Sequence, residues 1–151
     1  MNRIVSLATG LLAIILTGSC VSFKIQPPPD PENQIETLVL CKRVEQREGL
    51  IYPGESLVDF KPADGPIHCY VRLKNVSQTI RLKWKWYSPD GHLYRETKEV
   101  TVNRDSVYLQ AVTAYDQIEL EQEGFYEGQW AVVVMVNGQL IGRRTFHLVD
   151  G

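Results

Sequence analysis

Apolar and polar residues alternate with a period of two along several stretches of this chain. In Ile67–Leu73 apolar side chains take every second position, and in Thr79–Tyr87 they alternate with Arg81, Lys83 and Lys85. Successive side chains of a strand point to opposite faces, so this period predicts β-strands rather than helices. Each stretch is expected to lay one apolar face on a core.

The strongest local pattern lies near the C-terminus. Trp130–Val136 is a continuous apolar run, typical of a central strand covered on both faces. Asn137 and Gly138 follow it and predict a type I′ hairpin turn into Gln139–Val149. The other predicted elements are strands at Thr37–Val44, His92–Val102 and Ser106–Ala111, an irregular stretch over 45–66 and a crossover at Tyr115–Glu123. About seven strands without a helical period predict an all-β sandwich or barrel.

The tryptophans favour the sandwich. Trp84 and Trp86 share the apolar face of a middle strand and Trp130 begins a late one, so we expect all three between two sheets. Together with the turn at 88–91 and the last hairpin, these landmarks resemble the small immunoglobulin-like domains at the ends of many bacterial envelope proteins. The resemblance covers residues 65–150. It implies an immunoglobulin-like antiparallel β-sandwich over 37–151 and brings no catalytic positions with it.

The first nineteen residues have a different character. A positive residue, Arg3, precedes Ile4–Leu16, an apolar stretch of 13 residues, and small residues then lead to Cys20. A basic start, an apolar run and a small-residue site make a secretory signal peptide over 1–19. The run is shorter than the roughly 20 residues that a transmembrane helix needs.

Residues 16–20 resemble the bacterial lipobox, although Thr17 stands where a bulky aliphatic residue is usual. The resemblance implies cleavage before Cys20 and acylation of its thiol, and two or three acyl chains anchor a protein stably where one does not. No aspartate follows the cysteine, which by the same resemblance favours the outer membrane. We therefore expect a lipoprotein of the cell envelope, held to a membrane by lipid on Cys20. An ordinary signal peptide near a cysteine is the alternative.

Residues 20–36 are expected to tether the domain to that membrane. Four prolines fall between Pro27 and Pro31, which prevents a helix and favours extended polyproline II. The alternative is that part of this stretch packs on the domain as an irregular edge.

Two further cysteines, Cys41 and Cys69, fall in predicted strands of an exported chain. Disulfides persist in oxidising compartments, and a bond between the two would stabilise the domain by roughly 3–4 kcal/mol. The bond requires both side chains on one face, whereas Leu38 and Leu40 make the other face of the first strand equally apolar. Two buried free thiols are the alternative.

Charge and motif content exclude several functions. The chain has 16 Lys and Arg against 18 Asp and Glu, so it lacks the basic excess of a nucleic-acid-binding protein. Its three histidines are expected outside the core or beside turns, without metal-ligand spacing, and no catalytic motif occurs. We expect no enzyme activity, no metal and no cofactor. The basic residues of Thr79–Tyr87 lie opposite the tryptophans and are expected near Glu96 or Glu99.

Tyrosines are the remaining candidates for a binding surface, because they offer large contact area at low entropic cost. Tyr70, Tyr87 and Tyr94 are predicted to point outward, and Tyr52 lies in the long irregular stretch. The chain is thus interpreted as a protein–protein interaction module with an envelope protein as its partner. A carbohydrate- or cell-wall-binding module is the main alternative, and an exposed row of coplanar aromatic rings would favour it. A small enzyme is the third class.

Overall fold

The computed structural model describes residues 34–76, 78–102, 111–119 and 126–150. The signal peptide, Cys20 and most of the 20–36 tether lie outside these ranges, so they stay predictions. No helix within the ranges is long and apolar enough to cross a membrane. The described strands are β1 (Ile35–Cys41), β2 (Val44–Arg47), β3 (Leu50–Pro53), β4 (Asp59–Phe60), β5 (Ile67–Lys74), β6 (Ile80–Tyr87), β7 (Leu93–Glu96), β8 (Val100–Val102), β9 (Ala111–Ile118), β10 (Gly128–Val136) and β11 (Gln139–Leu148).

Two sheets form an immunoglobulin-like β-sandwich, as predicted. The small sheet has the order β1-β5-β9, and the large sheet has the order β4-β11-β10-β6-β7, with β8 also paired to β6. All of these pairings are antiparallel except that of β4 with β11. The β2–β3 hairpin forms a separate two-stranded sheet.

The core lies between the two sheets and is rich in aromatic rings. Trp84, Trp86 and Trp130 are at most 1% exposed, which confirms their predicted burial. Phe146 joins them: its ring stacks on Trp130 with centroids 6.2 Å apart and meets Phe60 edge-on at 5.6 Å. Aromatic pairs of this kind add about 0.5–1.5 kcal/mol each beyond their buried area.

Two hairpins have the same backbone signature at their turns. Asn137 and Gly138 adopt φ values of 51° and 80° between β10 and β11, which confirms the predicted turn. Glu48 and Gly49 adopt 51° and 80° between β2 and β3. A type I′ turn needs positive φ at both central residues, and glutamate rarely accepts it. The sequence therefore gives no turn signal for the second hairpin, which lies in the stretch predicted to be irregular.

Several predicted strands have other bounds in the structure. The stretch Thr37–Val44 is divided between β1, which already begins at Ile35, and β2. The stretch His92–Val102 is divided into β7 and β8. Between them the side-chain hydroxyl of Thr97, rather than a backbone carbonyl, accepts the hydrogen bond from Trp84 N at 2.8 Å, which interrupts the backbone pairing. The segment predicted as a crossover contains part of β9, which pairs with β5 along its length. The predicted strand Ser106–Ala111 lies outside the described residues except for its last residue.

Each outer edge of the small sheet is capped by an arginine from the large sheet. On β11, Arg144 Nε donates to Leu38 O of β1 at 2.8 Å. On β7, Arg95 donates to Gln117 O of β9 and pairs with Asp116 at 3.2 Å. Unpaired carbonyls at a sheet edge invite pairing with another chain, and each of these arginines occupies one such carbonyl.

Gly142 lets β1 approach β11 closely. A Cβ at this position would lie 2.7 Å from Leu38 Cδ2 and 2.8 Å from Ile35 Cδ1. A larger residue would require the ends of both side chains to shift, and Arg144 reaches β1 two residues further along the same strand. The absence of a side chain therefore helps to fix how the two sheets meet.

Cys41 and Cys69 are buried free thiols, so the structure does not contain the predicted disulfide. The reason is the register of β1 and β5: Cys41 lies opposite His68, and Cys69 lies opposite Leu40. Cross-strand partners share a face and neighbours along a strand do not, so the two sulfurs lie on opposite faces of the small sheet. Burial raises the pKa of both thiols, and that of Cys69 far above its usual value.

Candidate functional site

The four predicted surface tyrosines do not form one surface. Tyr70 is only 2% exposed, so its outward placement is wrong. The β2–β3 hairpin covers that face of β5, and the Tyr70 hydroxyl donates to Ile51 O at 3.2 Å. His68 on the same face is buried too, against the ring of Tyr115. The predicted half-buried strand is thus buried on both faces, because a hairpin that the sequence did not reveal lies over it.

The other three tyrosines lie apart from one another. Tyr52 is partly exposed on β3. Tyr94 packs edge-on against the ring of Trp130, with centroids 5.0 Å apart, and lines a cavity of about 390 Å³ beside Arg95. Tyr87 lies half-buried at the end of β6, on the outer face of the large sheet. Of the predicted set, Tyr87 alone borders the larger groove described next.

That groove lies on the outer face of the large sheet and has a volume of about 460 Å³. Its floor comes from the outward side chains of β10 and from the first part of β11, and its walls come from β6, β11 and the 88–91 turn. The lining comprises Lys85, Tyr87, Ser88, Pro89, Gly91, Gln129, Trp130, Ala131, Val133, Met135, Leu140 and Arg143. The continuous apolar run of β10 explains it: one set of alternate residues enters the core, and the other set forms this floor.

Strand register arranges the lining in rows across the sheet. Val133 pairs with Lys85 of β6 on one side and with Arg143 of β11 on the other. Two residues towards one end, Ala131 pairs with Tyr87. Two residues towards the other end, Met135 pairs with Leu140 of β11, which is 56% exposed, and with Lys83 of β6, whose charge is paired with Glu96. A row with two cationic residues therefore lies between two rows whose groove-lining members are uncharged.

The groove is locally basic in a chain that carries a net charge of −2. Lys85 and Arg143 line it, and no acidic residue does. Glu96 lies beside it and forms ion pairs with Lys83 at 2.7 Å and with Lys85 at 3.8 Å. The hydrogen bond to Glu96 raises the pKa of Lys83. Arg143 has no ion pair within the described ranges.

Glu96 and Glu99 neutralise the other basic residues of β6, as the sequence predicted. Arg81 pairs with Glu99 at 3.5 Å, and Lys83 pairs with Glu96. These contacts leave Arg143 as the cation of the groove lining without an ion pair among the described residues.

A structured turn closes one end of the groove. Gly91 N donates to Ser88 O at 2.9 Å, and His92 Nδ1 lies 2.7 Å from Asp90 Oδ2. Hydrogen bonds from Ser88 and His92 lower the pKa of Asp90 to about 2. Gly128 has a φ of 123°, and a Cβ there would lie 3.1 Å from Pro89 Cβ, so this glycine lets the turn rest on β10.

The groove lining has apolar, amide, hydroxyl and cationic groups, and it contains no His, Cys, Asp or Glu. Within the part of the chain that the structure describes, no three His, Cys, Asp or Glu side chains come together to hold a metal.

Comparison with known proteins leaves the family open. No family model matches the chain, and no curated protein matches it. Among solved structures, the chain is similar to the alkylpurine DNA glycosylase AlkC of Pseudomonas fluorescens, bound to DNA containing an abasic-site analogue. The sequence identity is 13% and the TM-score is 0.49, and the match covers 76% of this chain and 30% of the glycosylase chain. It is also similar to an immunoglobulin-like protein from Pseudomonas aeruginosa, with 13% identity, 77% and 95% coverage, and a TM-score of 0.44.

This chain thus spans under a third of the glycosylase chain. At these scores we draw nothing about function from either likeness. The sandwich is established by the strand pairing of the chain itself.

Sequence reasoning missed Lys85, Arg143 and Leu140 as site residues. It assigned Lys85 to a solvated face and gave no role to the other two. The available signal was the apolar run of β10 itself, since only half of its side chains can enter one core. What could not be inferred is which residues of other strands flank the outward half.

Proposed function

We propose that this protein is a lipid-anchored, non-enzymatic module of the cell envelope that acts by contact with another protein through the outer groove of its large sheet. The observation that carries the proposal is a groove on the outer sheet face whose apolar floor is exposed at Leu140 and partly at Met135 and whose rim is polar and basic. Apolar patches with polar rims are typical of protein interaction sites.

The make-up of the floor favours a protein partner over a glycan. Its accessible apolar side chains, Met135 and Leu140, are aliphatic; Ala131 and Val133 are 8% and 9% exposed, and the ring of Trp130 is almost wholly buried. A sugar-binding face usually needs exposed aromatic rings in one plane, whereas Tyr87 is the single tyrosine on this lining. The carbohydrate- or cell-wall-binding module stays the alternative.

The lipid anchor is supported by the apolar run of residues 4–16 and by Cys20. Cys20→Ser should yield a chain without acyl mass that leaves the detergent phase on phase partitioning. Equal partitioning of wild type and variant, with no acyl mass on either, would contradict the anchor. Localisation at the outer membrane is tested in the same cells by density fractionation.

Site-specific photo-crosslinking in intact cells tests the contact surface. A benzophenone residue at position 140 replaces Leu140, which lies in the groove and is 56% exposed. The matched control replaces Val58, which is 63% exposed and lies outside the groove. We expect a discrete protein adduct from position 140 and none from position 58. Adducts of equal yield from both positions, or pull-down of cell-wall fragments without any protein adduct, would contradict the proposal.

A further inference from the structure

We propose that the groove binds an extended segment of the partner protein that has a carboxylate at its centre and apolar side chains two residues to either side. This inference rests on the proposed function and specifies the partner chemistry. It follows from the length of the groove, the order of its rows and its charge.

The length of the groove matches a short extended segment. Its lining follows β10 from Gln129 to Met135. Six residue steps along a strand correspond to about 20 Å, and an extended chain of six or seven residues has the same length. The groove is bounded on both sides by strands hydrogen-bonded to β10, so a segment would lie along the strand rather than across it.

The order of the rows sets the register of the bound segment. The row Arg143–Val133–Lys85 is central, and the backbones of the two cationic residues are about 10 Å apart across it. Both side chains are long enough to converge on a carboxylate placed above Val133. Arg143 has no described ion pair to give up, and Lys85 would be shared between this carboxylate and Glu96, which lies 3.8 Å from it. Charge-assisted hydrogen bonds from arginine to carboxylate are strong and directional.

The outer rows then receive the apolar side chains. An extended segment points every second side chain to the same face, so residues i−2 and i+2 would lie over the rows of Ala131 and Met135. Tyr87 borders the first row. Leu140, more than half exposed, borders the second on one side, and Lys83, paired with Glu96, borders it on the other. The pattern is therefore apolar, any, acidic, any, apolar.

Fluorescence anisotropy with the full chain purified in non-ionic detergent tests the pattern. The probe is the fluorescein-labelled heptapeptide Gly-Leu-Ser-Asp-Ser-Leu-Gly. Replacing its Asp by Asn should weaken binding about tenfold, since two rim ion pairs are lost. Replacing both Leu by Ser should weaken it by at least as much. Arg143→Ala should weaken binding of the Asp probe roughly three- to fivefold and leave the Asn probe unchanged.

Arg81→Ala is the matched control, because it removes an arginine from the same sheet face outside the groove lining. It should leave the affinity within about twofold. A Lys-centred probe should bind Arg143→Glu better than it binds the wild type. Equal binding of the Asp and Asn probes, equal effects of Arg143→Ala and Arg81→Ala, or no binding of the Asp probe at millimolar concentration would overturn the inference.

Other occupants give different results. An adduct from position 140 to residues 20–33 of the same chain or to a second copy overturns the inference, as does Arg143-dependent binding of phosphatidylglycerol vesicles without peptide binding. If position 140 gives a protein adduct but the Asp and Asn probes bind equally, the inference is refuted and the proposed function is retained. The absence of any position-140 adduct removes the proposed function itself.

Discussion

Trp86 Nε1 donates a hydrogen bond to Asp116 Oδ2 at 2.6 Å, and this bond joins the two sheets of the sandwich. Trp86 belongs to the large sheet and Asp116 to the small sheet. The second carboxylate oxygen binds Arg95 at 3.2 Å, so one side chain serves both a core indole and an edge arginine. The side chain of Asp116 is only 12% exposed, and a buried donor that loses its acceptor is costly.

Asp116→Ala should therefore lower the free energy of unfolding by about 1–3 kcal/mol, because it leaves the Trp86 N–H unpaired inside the sandwich. Asp116→Asn keeps an acceptor and should cost less. Asp59→Ala, which removes an exposed carboxylate, is the control. Chemical denaturation of the purified protein measures all three. A loss for Asp116→Ala no larger than that for Asp59→Ala would show that the bond does not stabilise the fold.

The core tryptophans should be the most sensitive positions. Trp84→Ala and Trp130→Ala each remove a ring that is 1% exposed and should cost about 3–5 kcal/mol through lost burial and a residual cavity. Leu140→Ala, at an exposed position, should change stability by less than about 0.5 kcal/mol. Thermal or urea unfolding decides it, and a wild-type midpoint for either tryptophan variant would refute its burial.

Gly142→Val should destabilise the protein by about 1–3 kcal/mol, because the new side chain overlaps Leu38 and Ile35. Thr145→Val, on the same strand and exposed, is the control. Adding Leu38→Val to Gly142→Val makes room and should cost less than the sum of the two single changes. If the losses of unfolding free energy in urea are strictly additive, the side chains of β1 do not limit the space at Gly142.

Both cysteines of the domain should remain thiols. In the Cys20→Ser chain, alkylation under denaturing conditions without reductant should add two adducts, because Cys41 and Cys69 face opposite sides of the small sheet. The folded protein should react slowly, since burial raises the pKa of both thiols and a protonated thiol is a poor nucleophile. A product of unchanged mass under denaturing conditions would instead reveal a disulfide.

The turn beside the groove should keep its carboxylate charged in acid. The pKa of Asp90 is about 2, below the ordinary value of 3.8, owing to hydrogen bonds from Ser88 and His92. A depressed carboxyl pKa stabilises the fold above the ordinary pKa, and this contribution is lost as the pH falls through about 2. NMR titration of the Asp90 carboxyl carbon should give a midpoint near that value, and Ser88→Ala should raise it. A wild-type midpoint near 3.8 would exclude the closed turn.

Local patterns in the sequence determined much of the fold. The alternation in β6 gave its bounds to within one residue and the burial of Trp84 and Trp86, because side chains alternate wherever a strand forms. Asn137 and Gly138 gave the last hairpin, since the positive φ that the turn needs is a property of those two residue types. Such signals depend only on the residues that carry them.

Only the tertiary structure decided which strands lie side by side, and the site depends on that. Arg143 and Lys85 are far apart in sequence, and the pairing of β10 with both β11 and β6 brings them to either side of Val133. Packing between distant segments also places Tyr70 beneath the β2–β3 hairpin. The register of β1 and β5 places the two cysteines on opposite faces of the small sheet. Sequence periodicity fixes which side chains of one strand share a face, whereas register and sheet order come from packing between distant segments.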